Sequence, residues 1–239
     1  MTPDLSIIIC AFNEIGRIEL TYDDLLRTLK TREERVEIFF IDNGSTDGTR
    51  EWLSRINNPD VRVVFNETNL GKGGSLKKGI ALSTGNYVVV HDSDFEYRAT
   101  DIWKSYDRAT TRQASLVLGG RFAGGKPDNY HLINYLGVRF LTLLINVLYG
   151  CWLKDSASAI KLFKGDILRN ISLESDGFEL DFELVARTAR MGGKVMEISA
   201  DFYPRTAKEG KKVRAFSDGF SSLKVILKNR LLPKSRLLK

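Results

Sequence analysis

Cysteine, histidine and proline are scarce in this chain: its 239 residues hold two cysteines, two histidines and five prolines. Cys10 and Cys151 sit in apolar surroundings without metal-ligand spacing. They exclude a disulfide framework and read as reduced core thiols of an intracellular protein. With only His91 and His131 available, histidine-based acid-base chemistry has few candidates, and His91, ending an apolar run, reads as a satisfied residue at the edge of the core. No basic region precedes the short apolar run at the amino terminus, so neither a signal peptide nor a targeting segment is expected, and the chain is expected in the cytoplasm. Long apolar runs are also few. Leu132 to Trp152 is about long enough to cross a bilayer but carries Arg139 near its middle along with Asn134 and Asn146, which favours a core or interfacial helix.

What is present describes an ordinary globular protein: 43% hydrophobic and 28% charged residues. The length fits one α/β domain over residues 1–239. The formal net charge is +6, and its excess lies late, in Lys208, Lys211, Lys212 and Arg214 and then from Lys224 to Lys239. A basic balance suits nucleic acid, an anionic membrane surface or phosphorylated substrates. Composition does not choose among them.

Apolar strand-like runs alternate with helical ones, the mark of parallel βαβ units. Leu5 to Cys10, Val36 to Ile41, Val61 to Asn66 and Tyr87 to His91 read as strands, with helices at Ile18 to Lys30, Thr49 to Ile56 and Ser75 to Ser83 between them. Ser115 to Gly119 reads as a fifth strand. Beyond Arg121 the pattern predicts the long apolar helix, a short strand at Ile160 to Phe163, an acidic helix from Phe178 to Met191, a strand from Lys194 to Ser199 and a basic carboxyl-terminal helix.

On that layout four polar loops follow four strands and share one rim of the sheet, where open α/β sheets bind ligands. They are Asn13-Glu14, Asp42 with its turn-rich run to Gly48, Asn69 to Gly74, and Asp92-Ser93-Asp94. Residues two apart on an extended chain face the same way. Asp92 and Asp94 can therefore reach one hard cation with Glu96 as a third oxygen, a donor set suited to Mg or Mn. An isolated Asp-x-Asp is more often a polar turn, and the company of the other loops distinguishes this one. Asn69 to Gly74 lacks the spacing of an NTPase phosphate loop.

These motifs resemble the family 2 inverting nucleotide-sugar glycosyltransferases of the GT-A fold, and within them the dolichol- and polyprenyl-phosphate mannose synthases and their prokaryotic relatives. The resemblance continues through Gly119-Gly120-Arg121, Asp155 to Lys161, Phe178 to Leu184 and Arg205 to Lys212. It implies a Rossmann-like, mostly parallel sheet flanked by helices, with a nucleotide-binding half (1–122), an acceptor half (123–215) and a basic amphipathic helix or tail (216–239). It also implies donor binding by Ala11, Asn13, Glu14, Asp42, Gly44, Lys72, Gly73, Asp92, Ser93, Arg205, Lys211 and Lys212, with Asp42 on the base of the donor. Asp92, Asp94 and Glu96 would surround the Mg or Mn ion. Asp94, Asp155 and Arg121 would carry the chemistry, and Arg121, Arg139, Lys161 and Asp181 would meet the acceptor. The chain departs from the family at Glu96, commonly Gln, and at Ser158-Ala159. A Gln-x-x-Arg-Trp signature of processive synthases is absent.

The expected reaction moves one sugar from a GDP- or UDP-sugar to a polyprenyl or dolichyl phosphate at the cytoplasmic membrane face, compatible with a membrane-protein partner or a homo-oligomer. A lipid monophosphate arrives as an anion and needs no strong base. A saccharide hydroxyl, the rival acceptor, needs one, and Asp155, Asp181 or Glu183 would serve. A noncatalytic nucleotide- or nucleic-acid-binding protein must explain the complete carboxylate set, and nucleic acid prefers a cationic groove to an acidic rim, so no nucleic acid is expected. Glu179 and Glu183 share a helix face that reads as at least partly solvated. The terminal segment from Phe216 fits either an anionic membrane surface or a packed helix with a solvated basic face.

Overall fold

The computed structural model describes residues 2–205 and 215–239, and among them the chain builds one seven-stranded sheet. The strands are β1 (Leu5–Ala11), β2 (Val36–Asp42), β3 (Val61–Phe65), β4 (Tyr87–Asp92), β5 (Leu116–Gly120), β6 (Lys161–Lys164) and β7 (Val195–Ser199). Their spatial order is β3-β2-β1-β4-β6-β5-β7. All neighbours are parallel except at β6, which runs against both β4 and β5. This is the mostly parallel α/β architecture expected. β1 reads as a continuous apolar run because both its faces are covered: Ile7, Ile8 and Ile9 are all buried. Each such side chain contributes about 1.5–3 kcal/mol of burial free energy.

The helices are α1 (Ile18–Leu29), α2 (Thr49–Leu53), α3 (Gly71–Leu82), α4 (Thr100–Arg112), α5 (Leu132–Tyr149), α6 (Gly165–Asn170), α7 (Leu180–Arg190) and α8 (Ala215–Leu231). α4 and α6 were not expected. α4 is amphipathic, burying Ile102, Trp103 and Ala109 against the sheet, but its polar face of Lys104, Asp107 and Arg108, together with the buried Asp101, dilutes the apolar signal.

α3 corrects the expectation of a loop through Gly74, since the helix begins at Gly71. The Asn69 side chain accepts the Gly71 amide at 2.8 Å, and the Gly73 amide donates to the Asp176 carbonyl at 2.8 Å. A Cβ on Gly73 would meet the Ser175 carbonyl oxygen and Asp176 backbone far inside contact distance. Glycine is needed there because two backbones touch.

Packing fixes one side of α8. Ile226 and Asn229 are buried against α5 and α7, while Phe220, Leu227 and Leu231 remain exposed. The helix is therefore packed on the domain along one side. α5 is long and apolar enough to cross a membrane by length and composition, yet Leu141, Thr142 and Ile145 are buried in the fold.

Candidate active site

Parallel register assembles the rim. Ala11 lies beside Asp42, and Cys10 lies beside Asp92, so the loops leaving β1, β2 and β4 emerge together. The point between β1 and β4 is where the strand order reverses, the usual crevice of such sheets. A cavity of about 680 Å³ opens there.

The first two loops are laced to each other. The Asn13 side chain accepts the Thr46 amide at 2.9 Å, Ser45 Oγ accepts the Asn13 amide at 3.0 Å, and Thr49 Oγ1 accepts the Glu14 amide at 2.9 Å. Asp42 is fully buried, accepting the Ser45 amide at 3.2 Å and Arg50 Nη1 at 3.2 Å. Gly44 holds a left-handed φ of 77° while Thr68 and Asn69 pass close to it. Asn43, which sequence reasoning passed over, ties this loop to the next: its Nδ2 donates to Asn69 Oδ1 at 2.8 Å, and its Oδ1 accepts the Leu70 amide at 2.8 Å. Its place in the turn-rich run was the available signal.

At the β4 end the charges sort into two groups. Asp94 and Glu96 converge on Arg205, whose Nη2 lies 2.7 Å from Asp94 Oδ2 and whose Nε lies 3.3 Å from Glu96 Oε1. Glu14 Oε1 is 3.2 Å from the same guanidinium. Burial, with the nearby Asp92 and Glu96 charges, pushes the Asp94 carboxyl up to about 7 against the opposing pull of Arg205. Asp92 instead faces Lys72, 3.3 Å away. Among the described residues no three carboxylate, histidine or cysteine side chains stand gathered as a preformed metal cluster. Ser93 turns inward, donating to the Cys10 carbonyl at 2.9 Å.

Lys72 also lies 3.6 Å from Asp181, which receives Lys161 Nζ at 2.7 Å. Burial alone would depress the Lys72 ammonium, but Asp181 and Asp92 outweigh it and raise its pKa. Lys161 is nearly inaccessible, also donating to the Ser158 carbonyl, and burial lowers its pKa. It reaches this position because β6 pairs with β4 in a register that sets Lys161 beside Val90.

Antiparallel pairing explains a second pair. Since β5 and β6 run oppositely, the segment leaving β5 and the segment entering β6 share one end of the sheet, and Arg121 meets Asp155. Arg121 Nε and Nη2 lie 2.6 and 2.7 Å from the two Asp155 oxygens, a bidentate pair. The amides of Arg121 and Ala157 add two further hydrogen bonds to the same fully buried carboxylate. Burial would raise the Asp155 pKa, but Arg121 overrides it and holds the carboxyl below its usual range. Phe122, Tyr130 and Phe202 surround the guanidinium at 5.0–5.6 Å from ring centre.

Other expectations land elsewhere. Arg139 is exposed and donates to the Lys154 carbonyl at 2.8 Å, and it does not line the cavity. Lys211 and Lys212 lie outside the described residues. His91 is buried with Nδ1 2.6 Å from the Asp92 carbonyl, but Nε2 has no hydrogen-bond partner among the described residues, so it is only half satisfied. Glu183 is buried on Arg187 at 2.7 Å and accepts the Ser175 amide, which removes it from any solvated face.

The cavity has two unlike walls. Strand ends and the segments leaving them supply Glu14, Asp92, Asp94, Glu96, Arg121 and Arg205, with Lys72 from α3, Asp181 from α7 and Asp218 from α8, whereas α5 supplies Ile133, Val138 and Leu141. Among the described lining residues six carboxylates face three cations. An anionic ligand therefore needs additional positive charge to enter.

Known proteins share this architecture. Glucosyl-3-phosphoglycerate synthase from Mycobacterium tuberculosis, solved with Mn2+, UDP and glucosyl-3-phosphoglycerate, superposes with a TM-score of 0.73 over 98% of this chain and 82% of its own, at 20% identity. The fold is thus GT-A. In sequence, the undecaprenyl-phosphate mannosyltransferase of Micrococcus luteus is 29% identical over 85% of this chain and 85% of its own length. The glycosyltransferase AglJ of Haloferax volcanii is 28% identical over 91% of this chain and 69% of its length. The dolichyl-phosphate beta-glucosyltransferase of Dictyostelium discoideum is 26% identical over 95% and 73%. The model of glycosyl transferase family 2 matches residues 6–171, well over half of the chain, and with the laced strand-end loops and the acidic rim in place, the chain belongs to that family.

Proposed function

We propose that this protein transfers one hexose from a nucleoside-diphosphate sugar to a polyprenyl phosphate at the cytoplasmic face of a membrane, inverting the anomeric centre, with a divalent cation such as Mg or Mn. The observation that carries this reading is the single cavity whose charged wall suits a sugar diphosphate and whose apolar α5 wall suits an isoprenoid chain. Relatives named for undecaprenyl phosphate and dolichyl phosphate support the acceptor class, and because they include mannosyl and glucosyl transferases the sugar is stated as a hexose.

The donor set fits the cation. Asp92, Asp94 and Glu96 offer oxygen ligands, and the surplus of carboxylates over cations among the described lining residues is an imbalance a divalent ion would correct. Such an ion supplies Lewis-acid stabilisation to the departing diphosphate. In the structure Arg205 supplies positive charge to Asp94 and Glu96, so metal entry requires that guanidinium to move aside, where it can meet the donor phosphates. The laced loops after β1 and β2 hold the nucleoside, with Asp42 acting through the Ser45 turn and Arg50. Arg121 presents a fixed positive charge to the acceptor phosphate, and Asp155 fixes its plane. Lys161 steadies Asp181, which in turn places Lys72 at the cavity floor.

Transfer to a saccharide hydroxyl is the second reading, and it needs a base. Asp155 already accepts four hydrogen bonds and Glu183 is buried on Arg187, which leaves Asp181, itself held by two lysines. An acceptor that is already an anion avoids that demand. The test is incubation with UDP- and GDP-sugars, polyprenyl phosphate and Mn2+. Release of nucleoside diphosphate that depends on the polyprenyl phosphate and stops with chelator is expected. Release that is indifferent to polyprenyl phosphate but dependent on a saccharide would refute the reading.

A further inference from the structure

Glu197, on β7, lies beside the Arg121–Asp155 pair without lining the cavity. β7 pairs with β5 in a parallel register that sets Glu197 against Leu118, and its side chain extends along β5 to Gly120. A Cβ on Gly120 would overlap the Glu197 carboxyl, so the side chain that Gly120 lacks is the space the carboxyl fills. A carboxyl drawn out of water needs donors, and this one finds them in the main chain. The Lys154 amide donates to Glu197 Oε2 at 2.6 Å, and the Asp155 amide is a second donor to the same group.

Those two amides belong to the segment that carries the partner of Arg121. The Lys154 residue is held from both sides: its amide donates to Glu197, and its carbonyl accepts Arg139 Nη1 at 2.8 Å. Asp155 follows directly, and its carboxylate accepts the Arg121 amide at 3.1 Å together with Nε and Nη2 of the guanidinium. Nη1 instead donates toward the hydroxyl of Tyr130, a cavity-lining residue, at 3.4 Å. A planar guanidinium with two nitrogens committed to one carboxylate has no freedom to re-aim the third. Where Nη1 presents its charge is thus set by where the main chain holds Asp155, and Glu197 holds that main chain.

We propose that Glu197 is a positioning residue for acceptor binding: its carboxyl, reaching over Gly120 to the amides of Lys154 and Asp155, fixes the Asp155 carboxylate and through it the plane of the Arg121 guanidinium. The proposal rests on the reading that Arg121 meets an acceptor phosphate. Reach is what the role requires, and charge is not. Burial raises the Glu197 carboxyl to about 7, so near neutral pH it is uncharged roughly half the time, and a neutral amide of the same length replaces it closely.

Two variants separate reach from charge. Glu197→Gln keeps the length and an acceptor oxygen, whereas Glu197→Asp keeps the charge but is one methylene too short for the Lys154 amide. With a water-soluble short-chain polyprenyl phosphate as acceptor, Glu197→Asp should raise the acceptor KM about tenfold. Its affinity for UDP and GDP, read by calorimetry, should stay at the parent's value, and Glu197→Gln should keep the parent's acceptor KM. An unchanged KM in Glu197→Asp, or an equal rise in both variants, would overturn the proposal. So would a loss of nucleoside-diphosphate affinity matching the rise in KM, which would mark a general loosening of the fold. Hydrogen exchange of the Arg121 and Ala157 amides, both donated to Asp155, reads the same positioning without any acceptor. Exchange should quicken in Glu197→Asp and not in Glu197→Gln, and parental rates in Glu197→Asp would again overturn the proposal. A parent that glycosylates no polyprenyl phosphate while this exchange pattern holds would refute the acceptor reading and leave the positioning of Arg121 standing.

Discussion

Arg205 and Asp94 form a charge-assisted pair across 111 residues of sequence, with Nη2 2.7 Å from Oδ2. Glu14 and Glu96 touch the same guanidinium, so one side chain supplies positive charge to three carboxylates at the cavity rim. A divalent ion competing for Asp94 and Glu96 must displace it. Arg205→Gln is therefore expected to tighten Mn2+ binding in the absence of nucleotide by about tenfold while lowering transfer. Calorimetric titration with Mn2+ checks this. Weaker metal binding in the variant would show that Arg205 assists the ion instead of competing with it.

The proposed role of Asp42 is to act on the nucleotide through its loop. Asp42→Asn keeps an acceptor for the Ser45 amide but loses the charge facing Arg50. The expected result is weaker binding of free nucleoside diphosphate, by about tenfold, with KM for the donor rising and kcat little changed. An unchanged affinity by calorimetry would remove Asp42 from donor binding.

The Arg121 pair is expected to stabilise the fold as well as the site. Asp155→Asn leaves a buried guanidinium without its counter-charge and should cost about 3 kcal/mol, lowering the melting temperature by roughly 10 °C at neutral pH. The folded Asp155 pKa is depressed, so its contribution is present above the unfolded value near 4 and is lost as pH falls through the lower folded value. The gap between parent and variant should close on acidification. A gap that persists at low pH would assign the effect to shape rather than charge.

The strands and their polar rim were legible because local patterns encode them: buried runs such as Ile7 to Ile9, turn residues after Asp42, and two carboxylates at and just beyond the end of β4. The helical start at Gly71 was not, since glycine-rich sequence disfavours helix and the contacts that fix it come from the Asn69 and Asn43 side chains and the passing backbone of Ser175 and Asp176. Nor could local pattern show that Arg121 is committed to Asp155 or Arg205 to Asp94, because those pairs depend on antiparallel β6 and on the segment after β7 returning to the rim. Arg139 shows a related limit: sequence places it on α5, but its position outside the cavity lining depends on how that helix packs.

Glu197 gives a pH dependence of opposite sign. Burial, helped by Asp155 and opposed by the Lys154 amide, raises its carboxyl to about 7. Its contribution is fully present below the unfolded value of 4.5 and is lost as pH rises through about 7. Glu197→Gln should therefore melt higher than the parent at pH 8 and level with it at acidic pH, where both carry an uncharged group. Thermal melts across that range decide it, and a parent more stable than the variant at pH 8 would contradict the assignment.

The central claim is that the acceptor atom belongs to a lipid phosphate. Mass spectrometry of the product formed from a nucleotide sugar, Mn2+, polyprenyl phosphate and a competing saccharide in one reaction reads this directly. The expected product is polyprenyl phosphate heavier by one hexose residue, with the sugar released by mild acid and the saccharide unchanged. A hexose joined to the saccharide hydroxyl, with polyprenyl phosphate unmodified in the same tube, would contradict it.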